Sequence, residues 1–80
     1  MIIKIFRKED LKKDGLFKKK NNVKLMNEEE FINYVRTNKL TLSKGYIDIT
    51  GFISNGEMFK CSYNNMMVGV TGIINKVNEV

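Results

Sequence analysis

Asn55-Gly56, set between two β-prone runs, constrains this 80-residue chain more than any other feature. A type I′ turn needs positive φ at both central residues, and Asn-Gly meets that need at little steric cost. The spacing predicts a hairpin of strands at about 45–54 and 57–63. Closing it on two turn residues opposes Ser54 to Glu57, Phe52 to Phe59, Thr50 to Cys61 and Asp48 to Tyr63, because opposed residues share a face. That register gathers Phe52, Phe59, Cys61 and Tyr63 and leaves Ile47 and Ile49 on the wrong side. A bulge at Thr50-Gly51 is expected to restore them.

Two readings compete for the next stretch. Met66, Val70, Ile73, Val77 and Val80 fit a helical stripe. Against this, Gly69 and Gly72 each cost a helix about 1 kcal/mol relative to Ala, and Val68, Val70, Thr71, Ile73 and Ile74 are β-branched. An Asn64-Asn65 turn would align Met66, Val68 and Val70 with Tyr63, Cys61 and Phe59. The expectation is a third strand at about 66–74.

Upstream, Ile2, Ile3, Ile5 and Phe6 read as a strand at about 2–7. Residues 8–14 carry a turn or two of helix ended by Gly15, anchored by Leu11, Leu16 and Phe17. A solvated loop follows, and Val23, Lys24 and Leu25 add a short extended piece. Asn27 is a good N-cap with Glu30 three residues on, Met26 and Phe31 fit a hydrophobic staple, and Glu28, Glu29 and Glu30 suit the positive end of a helix dipole. These signals predict a helix at about 28–38 with Phe31, Ile32 and Val35 toward the sheet and Tyr34 at their margin. The predicted architecture is α+β: an antiparallel sheet of three to four strands packed against one main helix. It forms a single small domain over 1–80 with a basic, loop-rich segment at 8–24.

The chemistry the chain lacks narrows its function. Without histidine, serine-histidine and cysteine-histidine arrangements and most zinc sites are excluded. The single cysteine, Cys61, allows neither an intramolecular disulfide nor a thiol cluster, and reads as a small core hydrophobe. Glu28, Glu29 and Glu30 are explained by their place at a helix start; Asp48 and Glu57 have no neighbour spaced as a paired acid or base. The six glycines form neither a Walker loop nor G-x-G-x-x-G. The expectation is no enzyme, no cofactor and no metal. No apolar run approaches the ~20 residues of a membrane span, and the first seven residues are too short for a signal h-region, so a cytoplasmic protein of a bacterial host cell is expected.

Charge gives the one functional lead. Residues 1–24 hold nine basic side chains against three acidic ones, whereas residues 25–80 hold five against six, so the excess of the +5 chain lies in one segment. Lys12, Lys13, Lys18, Lys19, Lys20 and Lys24, with Arg7, are the candidate partner- or phosphate-binding residues. Lysine outnumbers arginine, which suits backbone attraction over bidentate base readout. Abundant Lys, Asn and Ile, with no Ala, Pro, Trp, Gln or His, point to an AT-rich gene of a bacterium, phage or mobile element. The leading expectation is a phage or mobile-element accessory protein that inhibits or modulates a host nucleic-acid-handling complex by protein contact, a host-defence antagonist. Its partner would be a larger host protein or nucleoprotein complex. The alternative is a direct, weakly sequence-selective nucleic-acid-binding module using segment 4–24. A homodimer through an open sheet edge is a third expectation.

Overall fold

The computed structural model describes residues 1–10, 23–45, 49–62 and 69–79. It has the expected α+β class, with five strands and two helices among the described residues: β1 (Ile2–Arg7), β2 (Lys24–Met26), α1 (Glu28–Thr37), β3 (Leu42–Lys44), β4 (Thr50–Ile53), β5 (Glu57–Ser62) and α2 (Gly69–Asn78). A 3₁₀ turn at Lys8–Asp10 follows β1, and the rest of the expected helix at 8–14 lies outside the described residues. The sheet is antiparallel throughout, in the order β2-β1-β5-β4-β3. The N-terminal strand thus inserts between β2 and β5, an interior place next to the β2 edge, with β5 at the centre.

The hairpin forms at Asn55-Gly56, but on a three-residue connection. Ser54, Asn55 and Gly56 link β4 to β5, the Gly56 N–H donates to the Ile53 carbonyl at 3.0 Å, and Gly56 alone of the turn takes a positive φ, at 89°. A type I turn followed by a left-handed glycine fits the strand twist as well as the type I′ pair does. The extra residue shifts the register by one: Phe59 opposes Gly51, and Phe52 opposes Met58. Since side chains alternate with period two, Phe52 and Phe59 fall on opposite faces. The slip expected as a bulge at Thr50-Gly51 occurs in the turn, and the pairing through Thr50, Gly51 and Phe52 is uninterrupted.

Of the strand expected at 45–54, Thr50–Ile53 forms β4, and a separate strand, β3, precedes it at Leu42–Lys44. Leu42, Ser43 and Lys44 pair with Ile53, Phe52 and Gly51, and the Gly45 N–H donates to the Thr50 carbonyl at 2.9 Å, so the chain reverses between Lys44 and Thr50. Ile49 is exposed instead of joining the aromatic face; Ile47 and Asp48 lie outside the described residues.

The strand expected at 66–74 is also replaced: Gly69–Asn78 is α2, and Asn64, Asn65, Met66 and Val68 lie outside the described residues. Gly69 is the first residue of the helix, where the interior glycine penalty does not apply, so Gly72 alone carries it. Val70 and Ile73 are fully buried by the helical arrangement, with Ile74 and Val77 packed at its margin. Burying such side chains contributes roughly 1.5–3 kcal/mol each, which outweighs one interior glycine and β-branching together.

Both helices cover one face of the sheet. α1 lies against β1 and β2, α2 against β5 and β3, and the helices touch each other. Between them and the sheet sit Ile3, Ile5, Phe31, Val35, Ile53, Phe59, Cys61, Val70 and Ile73. The Phe31 and Phe59 rings meet at 5.0 Å with a 41° tilt, a favoured aromatic geometry. Ile32, expected to face the sheet, is only partly buried and stands outside this cluster. One position round the helix from Phe31 turns it about 100° away from the core.

The helix start behaves as its sequence dictates. The Glu30 N–H donates to Asn27 Oδ1 at 2.8 Å, and the Phe31 N–H to the Asn27 carbonyl at 3.0 Å. At the other end Leu40 N–H reaches the Val35 carbonyl at 2.9 Å and Lys39 N–H the Arg36 carbonyl at 3.2 Å, with Lys39 at φ 54°. This is a Schellman stop with lysine in the place that usually holds glycine.

Candidate interaction face

Strand alternation sorts the charged and apolar side chains onto two faces. Ile3, Ile5 and Arg7 of β1 and Glu57, Phe59 and Cys61 of β5 point to the helices. Ile2, Lys4 and Phe6 of β1, Met58 and Lys60 of β5, Thr50 and Phe52 of β4 and Leu25 of β2 point away. On that outer face Phe6, Met58 and Thr50 are buried and Phe52 half-buried.

At the β2-β1-β5 end the outer face is different in character. Leu25 is 62% exposed and Ile2 50% exposed, diagonal neighbours on adjacent strands. Lys4 lies directly opposite both Leu25 and Lys60. Two basic side chains therefore stand on the same face as two exposed aliphatic ones. This patch of Ile2, Leu25, Lys4 and Lys60 was not among the sequence-derived candidates. Its signal was the alternation of Ile2 and Lys4 against Ile3 and Ile5, but the β1-to-β5 pairing that completes it joins residues more than fifty positions apart.

Of the seven sequence-derived candidates, Lys12, Lys13, Lys18, Lys19 and Lys20 lie outside the described residues. Lys24 is exposed at the sheet edge, opposite Ile5 and therefore on the helix side. Arg7 also points to the helix side, with Nη2 at 3.8 Å from Glu57 Oε1 and its side chain half exposed. The two described candidates thus share a face, and it is not the face of Lys4 and Lys60.

Arg7 belongs to a polar cluster at the hairpin end of the sheet. The Glu57 side chain is buried, and a buried carboxylate is costly unless it is paired and hydrogen-bonded. The Tyr34 hydroxyl donates toward Glu57, with both carboxylate oxygens at 3.3 Å, and accepts from Asn55 Nδ2 at 3.0 Å. The Glu57 N–H donates to Asn55 Oδ1 at 3.1 Å. The cluster ties the turn to α1, a structural task for these groups.

On the far side of α1, an open depression is lined by Glu28, Glu29, Glu30, Ile32, Asn33 and Arg36. Glu28 pairs with Lys76 of α2. Arg36 Nη2 donates to the carbonyls of Lys76 at 3.2 Å and Glu79 at 2.9 Å, capping the end of α2. Glu29 and Glu30 are exposed.

Cys61 is part of the core, 8% exposed, as its sequence context suggested. Burial, reinforced by the nearby charge of Glu28, pushes its thiol up to about 11, which keeps it protonated and unreactive near neutral pH. Among the described residues, no three His, Cys, Asp or Glu side chains come together to hold a metal ion, and no helix is long and apolar enough to cross a membrane.

No protein-family model, curated protein or solved structure matches the chain.

Proposed function

We propose that this chain is a non-catalytic binding protein that attaches to a larger nucleic-acid-handling protein or complex of a bacterial host and blocks or modulates it, as the accessory product of a phage or mobile element. The observation that carries the protein-contact reading is the outer-face patch. Exposed Ile2 and Leu25 offer two apolar anchors side by side on an open sheet face, which suits a protein surface with apolar groups. The sequence adds a lysine-rich run, Lys12 to Lys20, ahead of β2. The AT-rich residue usage supports the phage or mobile-element origin, and the host interior is the matching place of action.

A direct nucleic-acid-binding reading has the same positive charge in its favour. It is supported less well, because sequence-tolerant binding to single strands uses exposed rings for base stacking. The described outer-face rings are Phe6, buried, and Phe52, half-buried.

Two measurements on purified protein test the proposal. Titration against generic duplex and single-stranded DNA at low and moderate salt is expected to show at most weak association; tight, steeply salt-dependent binding would transfer the assignment to the direct reading. Affinity capture from host lysate is expected to recover one stoichiometric protein that is lost with Ile2→Glu and kept with Ser43→Glu at the opposite edge. Equal recovery with both variants would remove the patch from the account.

A further inference from the structure

Among the described residues the sheet has two edge strands of equal length and unequal chemistry. β3 is centred on exposed Ser43 and ends in exposed Lys44, with Leu42 turned partly inward. Such a polar, charged edge discourages strand pairing. β2 is centred on Leu25, the most exposed large apolar side chain among the described residues, at 62%.

We propose that the chain forms a two-fold homodimer by pairing β2 antiparallel with β2 of a second copy, centred on Leu25. A symmetric interface must complement itself, and this edge does so in one orientation. Antiparallel pairing about Leu25 sets leucine beside leucine on the outer face and places Lys24 opposite Met26 of the second copy. The axis then runs perpendicular to the sheet, so the helix-covered faces of the two copies are continuous. Lys24 lies on that side, and the chain beyond Met26 enters α1 there through Asn27. Lys24 is thereby carried toward the first helical turn of the second copy, where Glu28 is held by Lys76 and Glu29 is exposed. Each dimer contains this opposite-charge pairing twice. Parallel two-fold pairing would instead turn one copy over and put the two helix-covered faces on opposite sides of the joined sheet.

Specific interfaces usually bury about 1,200–2,000 Å². A three-residue edge with its flanking side chains falls below that range, so the dimer is weak, dissociating at roughly 10–500 µM. Its outer face would join the Ile2 and Leu25 side chains of both copies in one apolar stripe.

Sedimentation equilibrium of the full chain from about 5 µM to about 1 mM tests this. The wild type is expected to move from monomer toward dimer mass, and raising salt from about 50 mM to about 500 mM should weaken association several-fold. Leu25→Glu should remain monomeric at the highest concentration, whereas Ser43→Glu should associate like the wild type. Lys24→Glu and Glu29→Lys should each associate at least threefold more weakly alone, and an equal mixture of the two should recover wild-type strength, because both pairings in the mixed dimer are then of opposite charge. A wild type that stays monomeric throughout, dimerisation untouched by Leu25→Glu, or a mixture no stronger than its components would each overturn the proposal.

Discussion

The Phe59 ring fills the space that a side chain at position 51 would occupy: a Cβ on Gly51 would lie 2.4 Å from Phe59 Cε1, 2.5 Å from Cζ and 3.0 Å from the Ser43 carbonyl oxygen. The two residues are cross-strand partners on the helix-facing side. The ring is fully buried and also meets Phe31, so it cannot swing aside without disturbing the core. Gly51→Ala should therefore destabilise the fold by about 1–3 kcal/mol, the usual range for overpacking. A urea denaturation midpoint equal to that of the wild type would disprove the constraint.

Lys39 holds a left-handed conformation that costs a non-glycine residue about 1–2 kcal/mol. Lys39→Gly keeps the Schellman bonds of Leu40 and Lys39 and relieves that cost, partly offset by the larger entropy of glycine in the unfolded chain. The expected outcome is a gain of roughly 0.5–1 kcal/mol, read as a higher melting temperature.

The Asn27 side chain satisfies one of the N–H groups at the start of α1. Asn27→Ala should cost about 1 kcal/mol, while Asn27→Asp and Asn27→Ser should keep most of the stability. Denaturant titration of the three variants checks the order. An alanine variant as stable as the serine one would show that the cap contributes nothing.

Tyr34→Phe removes the hydroxyl that donates to buried Glu57 and accepts from Asn55. The carboxylate keeps Arg7 at 3.8 Å but loses its hydrogen-bond donor from α1, so a loss of about 1–2 kcal/mol is expected. Adding Glu57→Gln should shrink the effect of Tyr34→Phe, because a neutral amide needs that donor less.

Alkaline pH should weaken the fold through Cys61. Its thiol titrates at about 11 when folded against 9.0 as reference, so the folded state holds its proton more tightly. The contribution is complete below pH 9, and stability falls between pH 9 and pH 11 as the unfolded chain releases a proton that the folded one keeps. The difference in pH slope between wild type and Cys61→Ala isolates this contribution, expected as a steeper loss of wild-type stability from pH 9 to pH 11. A thiol reagent at pH 8 should react with folded protein far more slowly than with unfolded protein.

What the amino-acid order determined by itself was local. The Asn27 cap with Phe31 and Val35 placed α1, the Asn55-Gly56 turn placed a hairpin, and the Ile2-to-Phe6 run placed a strand, expected at an edge of the sheet, because each signal acts between residues a few positions apart. The patch at Ile2, Leu25, Lys4 and Lys60 was not legible, since it arises when β1 inserts between β2 and β5. Neither was α2, whose glycines and β-branched residues favour a strand until Val70 and Ile73 find the core. Tertiary structure decided these points because the free energy of burial depends on which distant surface a side chain meets, and that free energy exceeds the local preferences it overrides.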